Sequence, residues 1–199
     1  MAADKRLASQ DGAWICFQDE AGTSLRPPKA RTWSRRGVTP VVKVNGAGSG
    51  RLSMVGLIAT RPGQRTRLCY RVKTHRGRKG ERRSLSEADY IALLDAVHQQ
   101  LRAPIMLVWD RLNTHRSAAM RSMIAARPWL RVFLLPAYAP DLNPVESVWS
   151  HVKRSLANLT AGSLKRLEAL VRNRLKSLQY QPCILDGFIA GTGLTLQPP

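Results

Sequence analysis

The segment from Leu135 to His151, LPAYAPDLNPVESVWSH, restricts the fold of this chain more than any other. It joins a short apolar run to an amphipathic helix through a loop bracketed by prolines. Asn143 precedes Pro144 and is therefore biased away from helical backbone. Proline suits the first position of a helix, because its missing N–H would have no partner there. The segment predicts a helix that begins at Pro144, with Asn143 as its N-cap and Glu146 at its third position.

Glu146 has two interpretations at this position. It can close a capping box, in which its side chain accepts a hydrogen bond from the Asn143 N–H. It can also be a metal ligand, because a metal site needs rigidly placed carboxylates. The rest of the sequence favours the metal ligand, with the cap as the contact that holds it.

Apolar patterns along the chain predict one mixed sheet with helices on both faces. Strands are expected at 14–19, 51–60, 67–74, 105–109 and 131–135, and helices after Ser84 or Ser86, after Ser117, from Pro144 and after Ser163. A turn is expected at 20–23, and the β-branched run 39–44 is expected to form a hairpin with 51–60. Strands that alternate with helices become parallel neighbours through right-handed crossovers. The prediction is an α/β fold with a five-stranded mixed sheet in one domain, 13–180, between a lead at 1–12 and a loosely held tail at 181–199.

The charge of the chain points to a polyanionic partner. Lys and Arg total 32 against 13 Asp and Glu, which gives a net charge of +19 and a pI near 11.3. Nucleic acid is the leading candidate. A membrane is not expected, since no apolar run approaches the roughly 18 residues that span a bilayer. Cys16, Cys69 and Cys183 lack zinc-site spacing and are expected to be reduced thiols of a cytoplasmic protein.

A basic segment between Arg61 and Arg83 holds ten Lys or Arg residues and one acid, Glu81. It forms either a solvated loop or a loop that contacts phosphates. The residues that we expect to contact the DNA backbone are Arg35, Arg36, Arg76, Arg78, Lys79, Arg82, Arg83, Lys153 and Arg154.

Three acids follow predicted strands in a way that could bring them together. Asp19 ends the first strand, Asp110 ends the first buried parallel strand, and Glu146 opens the helix after the last strand. Singly, Asp19 and Asp110 occupy ordinary turn-forming positions. Together, at the carboxyl ends of strands, they would repel unless they shared divalent cations, and oxygen ligands favour Mg²⁺ or Mn²⁺. Two such ions would support phosphodiester displacement.

The same residues resemble a known family. DEAG at 19–22, WDRLNTH at 109–115 and PAYAPDLNPVE at 136–146 are similar to the three blocks of DDE superfamily transposases, especially bacterial insertion-sequence transposases related to mariner elements. Thirty-five residues separate Asp110 from Glu146, as expected for that group. The third block is the most specific. The resemblance extends over about 14–179.

This resemblance implies a ribonuclease-H-like fold and a two-metal site of Asp19, Asp110 and Glu146. The implied reaction hydrolyses phosphodiester bonds at transposon ends and joins the freed 3′-OH to target DNA, at a TA dinucleotide, without a covalent protein–DNA intermediate. The implied partner is DNA, bound by a homodimer or larger assembly at the bacterial nucleoid. Asn113, His115 and Asn143 are implied to support the site. His115 either orients the scissile phosphate or holds its loop.

Two features depart from the family pattern. Arg111 stands where the family usually has Asn, and it either contacts a phosphate or marks a weakened enzyme. The first strand begins too early for the family's N-terminal helix-turn-helix, so a separate helix-turn-helix polypeptide is expected to supply end recognition. Two other functions stay open: a ribonuclease-H-like nuclease without strand transfer, and a non-catalytic basic DNA-binding remnant of a transposase.

Overall fold

The structure, a computed structural model, describes residues 12–44, 50–82, 84–110, 117–137 and 139–194. A short 3₁₀ turn at Pro140–Leu142 precedes the third helix. In chain order the elements are β1 (Trp14–Ser24), β2 (Arg51–Thr60), β3 (Arg67–His75), α1 (Glu87–Leu101), β4 (Ile105–Trp109), α2 (Ala118–Ala125), β5 (Leu130–Leu134), α3 (Pro144–Ser155), α4 (Leu164–Gln179) and α5 (Pro182–Gly191).

The five strands form one mixed sheet in the order β3-β2-β1-β4-β5. β1, β2 and β3 are antiparallel neighbours, whereas β4 pairs in parallel with β1 and with β5. The helical crossovers α1 and α2 each connect strands of the same direction, as a parallel arrangement requires. The predicted five-stranded mixed sheet is confirmed.

Helices cover both faces of this sheet, which is also as predicted. One core lies between the sheet and α1 and α2, and includes Leu107 and Trp109 of β4. The other lies between the sheet and α3, α4 and α5, and includes Phe17 of β1 and Trp149 of α3. The apolar run Ile105–Trp109 is buried along most of its length because it lies between the two helical layers. No helix in the described ranges is long and apolar enough to cross a membrane.

Two predictions about the first strands are wrong. The expected turn at 20–23 is instead the second half of β1, because residues 20–24 pair with 51–55 of β2. The run 39–44 is exposed and forms no strand, so the predicted hairpin with 51–60 does not exist. β-branched composition suggested a strand there, but β2 is already paired on both sides, with β1 and β3. Asp19 therefore lies within a strand and not at its end.

The prediction of a loosely held tail at 181–199 is wrong for its first part. Residues 182–191 form α5, and Leu185, Ile189 and Leu194 are buried in the core beside α3 and α4. Pro182 suits the first turn of α5, where a missing N–H carries no penalty. Glycine and proline content suggested a loose tail, but burial of the apolar face of α5 holds it. Residues 195–199 lie outside the described ranges.

Asn158 joins the end of α3 to the segment that follows β1. Its backbone is left-handed (φ 58°), and its N–H donates to the Pro28 carbonyl at 3.0 Å. Its side-chain amide donates to the Ala30 carbonyl at 2.8 Å and accepts from the Ala30 N–H at 3.2 Å. Asparagine tolerates this backbone region better than most residues. Three hydrogen bonds thus fix residues 28–30 against the carboxyl end of α3.

Candidate active site

The start of α3 is fixed to β1 beside Asp19. The Asn143 side chain accepts a hydrogen bond from the Val145 N–H at 3.2 Å, which confirms Asn143 as the N-cap. Its amide donates to the Gln18 carbonyl at 3.0 Å. Asn143 is buried, so both of its polar groups need these partners. One side chain thereby sets the position of the helix that carries Glu146 relative to the strand that carries Asp19.

The predicted capping box at Glu146 is wrong. The Asn143 N–H donates to the Pro140 carbonyl at 2.8 Å, within the 3₁₀ turn that leads into the helix. The 3₁₀ turn satisfies the donor that the Glu146 side chain was expected to cap. Glu146 is solvent-exposed in the first turn of α3. The helix start fixes the backbone of Glu146, and its carboxylate makes no cap.

Asp19 and Asp110 lie side by side where β1 and β4 part. The parallel register of these strands ends at Phe17 opposite Val108. Asp19 is two residues past Phe17 and Asp110 is two residues past Val108, so each acid follows the paired part of its strand by the same number of residues. Asp19 is 8% exposed, and Asp110 is partly buried. The topology thus brings together two acids that are 91 positions apart, by the difference 110 − 19.

The electrostatics of Asp19 show that all three acids share one environment. Burial, followed by the negative charges of Glu146 and of Asp110, raises the pKa of Asp19 to about 7. A hydrogen bond from the Glu20 backbone and another from the Trp149 side chain act in the opposite direction. A negative charge that raises the pKa of a buried carboxyl lies near that carboxyl. Asp110 and Glu146 therefore both lie near Asp19.

Trp149 contacts Asp19 directly. Its indole N–H donates to Oδ2 of Asp19 at 2.9 Å, and both side chains are buried. The ring lies over Gly56 of β2, the residue that pairs with Asp19. A Cβ atom at Gly56 would lie 2.8 Å from Cη2 and 2.9 Å from Cζ2 of Trp149, and 3.3 Å from Cγ1 of Val145. Only glycine leaves room for the indole ring to reach Asp19 across the strand.

We expect Gly56→Ala to destabilise the protein by about 1–3 kcal/mol, because the added methyl group overlaps the indole ring in a packed core. Gly187→Ala is the matched control: Gly187 lies in α5 with open space around its Cβ position, and alanine there favours helix. Chemical denaturation of both variants measures the difference. Equal stability of Gly56→Ala and the wild type would contradict the close approach of Trp149.

The basic loop after β3 is folded around an acid. The Glu81 carboxylate accepts hydrogen bonds from the N–H groups of Arg76, at 2.9 and 3.1 Å, and of Arg78, at 3.1 Å. These backbone hydrogen bonds, with Arg78 first and Arg76 second, lower the pKa of Glu81. Turns whose N–H groups converge in this way bind anions. The loop therefore has a defined backbone conformation, which the Glu81 carboxylate holds.

The other residues expected to contact DNA are placed as follows. Arg76, Arg78 and Lys79 are exposed on the Glu81 loop, and Arg82 is exposed and pairs with Glu87 at 3.2 Å. Arg35 and Arg36 are exposed in the segment after β1, and Lys153 and Arg154 are exposed in the last turn of α3. Arg83, Arg111, Asn113 and His115 lie outside the described residues.

The donor set of the site suits a hard divalent cation. Carboxylate oxygens are the ligands that Mg²⁺ and Mn²⁺ prefer. A bound cation would also relieve the repulsion that raises the pKa of Asp19. Within the described ranges, no three His, Cys, Asp or Glu side chains stand close enough together to enclose one ion. The electrostatic coupling acts over a longer range than coordination, so an ion would have to draw the carboxylates together.

Sequence reasoning missed the roles of Trp149 and Gly56. Trp149 is a core residue on the apolar face of the helix. The signal for its second role was its spacing, because positions three apart lie on the same side of a helix. Trp149 is three residues after Glu146 and thus faces the same region. Nothing in the sequence marks Gly56, whose role depends on which residue of β2 pairs with Asp19.

Comparison with known proteins identifies the family and the fold of this chain. The sequence model of the DDE superfamily endonucleases matches residues 14–168. Among curated proteins, none matches the sequence closely enough to count as a relative. The fold is similar to that of the Mos1 strand transfer complex, with 16% identity and a TM-score of 0.60 over 98% of this chain and 59% of that one.

Further Mos1 transposase structures give the same result. A paired-end complex with the left transposon end is 14% identical, with a TM-score of 0.62 over 98% of this chain and 61% of that one. A mariner Mos1 paired-end complex with Mg is 14% identical, with a TM-score of 0.61 over 90% and 53%. The chain thus spans about three fifths or less of the transposase chains it resembles. This likeness confirms the ribonuclease-H-like fold, and the match over residues 14–168 shows that the chain belongs to the DDE superfamily endonuclease family.

Proposed function

We propose that this chain is the catalytic domain of a DNA transposase, related to the mariner-like insertion-sequence enzymes of bacteria. It hydrolyses phosphodiester bonds at transposon ends and transfers the freed 3′-OH into target DNA. The observation that carries this proposal is that Asp110 and Glu146 lie near enough to Asp19 for their charges to raise its pKa, on elements that the β1–β4 pairing and the Asn143 hydrogen bond hold together. Membership of an endonuclease family agrees with it.

The reaction uses Mg²⁺ or Mn²⁺, two ions in a site, held by Asp19, Asp110 and Glu146. Support comes from the all-oxygen donor set and from Mos1 structures described as containing Mn or Mg. When bound, the ions would activate the attacking water or 3′-OH and stabilise the leaving 3′ oxygen. Asn113, His115 and Asn143 support the site in this proposal, and of these Asn143 lies within the described residues.

Each acid contributes differently to the site. Asp19 is the fixed member, because it lies within β1 and accepts hydrogen bonds from Trp149 and from the Glu20 backbone. Asp110 follows the last residue of β4 and is partly buried. Glu146 is exposed on the first turn of α3 and can change rotamer to approach Asp19. Substrate phosphate therefore arrives at a site that is buried on the Asp19 side and open on the Glu146 side.

DNA approaches along the basic surfaces at this end of the sheet. β3 ends at His75, which pairs with Arg51, and Arg51 pairs with Ser24 at the end of β1. The Glu81 loop, which follows β3, therefore leaves the sheet at the end towards which β1 carries Asp19. Its arginines suit phosphate contact, and so do Arg35, Arg36, Lys153 and Arg154. Arg83 and Arg111 belong to the same proposal, from the sequence alone.

We expect Arg78→Ala to lower the slope of log K against log salt concentration by about one unit, because one phosphate contact releases about one counterion. Arg65→Ala is the matched control: it is an exposed arginine in the β2–β3 turn, at the opposite end of the sheet. Fluorescence anisotropy with labelled duplex DNA over a salt series measures both slopes. An equal loss for the two variants would mean that the Glu81 loop has no special contact with DNA.

Strand transfer is tested with a pre-cut transposon end that carries a 3′-OH and a plasmid that contains TA sites. We expect a joined product that needs Mg²⁺ or Mn²⁺ and is lost in Asp110→Asn. Cleavage of an uncut end without joining would leave a ribonuclease-H-like nuclease. DNA binding with neither activity would leave a non-catalytic remnant. The assay uses the chain alone and together with the helix-turn-helix polypeptide expected for end recognition.

Assembly on DNA belongs to the same proposal. One Mos1 transposase structure is described as a paired-end complex with the left transposon end, and we propose that this chain acts as a homodimer or larger on DNA at the bacterial nucleoid. Size measurement with and without duplex ends would test this, with a monomer on DNA as the contradicting outcome.

A further inference from the structure

The hydrogen bond between Trp149 and Asp19 differs from ordinary packing of a buried tryptophan. Indole N–H is a donor only, and a hydrogen bond to a carboxylate is stronger than one between neutral groups. Trp14 of β1 is also buried, in the core on the other face of the sheet, yet in the described structure its indole N–H has no hydrogen-bond partner. Burial in the interior of this protein therefore does not by itself force an indole N–H onto an acid. The contact at Asp19 is specific to Trp149.

The location of Trp149 couples the two acids. It lies three residues after Glu146 on α3, so the same helix carries one acid and holds the other. Gly56 leaves the space in which the ring lies across β2, since a Cβ there would approach the ring within 2.9 Å. Val145 packs at the same place, with its Cγ1 atom 3.3 Å from that Cβ position. Any shift of α3 along the sheet would break the contact with Asp19.

We infer that Trp149 is a positioning residue for Asp19, whose indole N–H fixes one carboxylate oxygen so that the other is presented to a divalent cation. The inference builds on the proposed function, which places a cation at Asp19. Trp149 touches neither the substrate nor the cation in this role; it acts through the carboxylate. Partners that orient metal-binding carboxylates in this way change metal affinity about 10–100-fold when they are removed.

The test is direct Mn²⁺ binding, measured by electron paramagnetic resonance of the unbound ion and without substrate. Trp149→Phe keeps an aromatic ring and loses the N–H. Benzothienylalanine at position 149 is the sharper variant, because sulfur replaces the N–H and the ring keeps its size. We expect both to weaken Mn²⁺ binding about tenfold or more, whereas the Trp14→Phe control stays within about twofold.

A measurement on the unmodified protein guards against misfolded variants. The chain has five tryptophans, so nitrogen-15 labelling yields five indole N–H signals. On addition of Mg²⁺, the Trp149 signal should move, and the Trp14 signal should stay in place. Asp19→Asn should remove the response of Trp149.

The outcomes separate the two ideas. If both Trp149 variants bind Mn²⁺ as tightly as the wild-type protein does, the role of Trp149 is overturned and the proposed function stands. Equally weakened Mn²⁺ binding in Trp14→Phe would overturn the role of Trp149 as well, since the effect would then be a general loosening of the core. Wild-type protein that binds no Mn²⁺ would overturn both the inference and the proposed metal site.

Discussion

Glu146→Gln is expected to lower the rate of Mg²⁺- or Mn²⁺-dependent nicking about 1,000-fold or more. A metal ion contributes several kcal/mol of transition-state stabilisation, and each 1.36 kcal/mol changes the rate tenfold. Glutamine keeps the length and shape of the side chain and removes the charge that binds the ion. Because Glu146 is exposed and closes no capping box, the substitution removes no hydrogen bond from the helix start. Folding and DNA binding should survive.

The measurement is plasmid nicking, with thermal unfolding and DNA affinity followed in parallel. Loss of a negative charge at a helix N-terminus costs about 0.3–1 kcal/mol. Glu87→Gln is the control, because Glu87 is an acid in the first turn of α1. It should show a similar small loss of stability and retain nicking. Nicking by Glu146→Gln at the wild-type rate would mean that Glu146 does not bind the ion.

Asp19→Asn is expected to stabilise the metal-free protein above neutral pH, by up to about 4 kcal/mol. Burial and the charges of Glu146 and Asp110 raise the pKa of Asp19 from 3.8 to about 7, and each pKa unit corresponds to 1.36 kcal/mol. The folded protein therefore favours protonated Asp19. That contribution is fully present below about pH 4 and is lost as the pH rises through about 7. Asparagine carries no charge to lose and keeps an oxygen to accept the Trp149 N–H.

Urea denaturation with a chelator present, at about pH 4 and about pH 8, measures the effect. The difference in the free energy of unfolding between variant and wild type should be small at the lower pH and large at the higher pH. It should become small again when Mg²⁺ binds the wild type. Asp89→Asn is a control of opposite sign: burial raises the pKa of Asp89, but hydrogen bonds from Lys73 and Ser86 outweigh this and lower it to about 2. That variant should lose stability at the higher pH. A difference in stability that does not change with pH would refute the raised pKa of Asp19.

Local sequence rules predicted the elements near the site well. The Asn143–Pro144 pair fixed the start of α3 to the residue, because proline geometry and side-chain capping are both local. The run 105–109 could be predicted as a buried strand from its unbroken apolar character. A shared site of Asp19, Asp110 and Glu146 was expected from acids at the ends of strands and from the family resemblance, although Asp19 lies within β1 and not at its end. The side chains that contact these acids, such as Trp149, could not be predicted in this way.

The failures have a common physical origin in pairing and packing between distant residues. β1 continues past Asp19 because β2 provides a partner for it, although EAGT is typical of a turn. The run 39–44 has strand composition, but both sides of β2 are occupied. The Glu146 capping box failed because a 3₁₀ turn supplied a backbone acceptor for the same N–H. Trp149 and Gly56 act through a register between strands that no local pattern specifies.

The two anchored ends of α3 have a consequence for how the chain tolerates change. Asn143 fixes the first end to Gln18, and Asn158 fixes the other to Pro28 and Ala30, so both attachments lie on stretches that flank Asp19 in the chain. Twelve residues of helix between them form a stiff rod of about 18 Å. Length variation or grafted sequence at 31–44 would thus leave the spacing of Asp19 and Glu146 unchanged. One residue inserted between Ser24 and Pro28 would have to fit between two fixed points. It would therefore strain the spacing of Asp19 and Glu146.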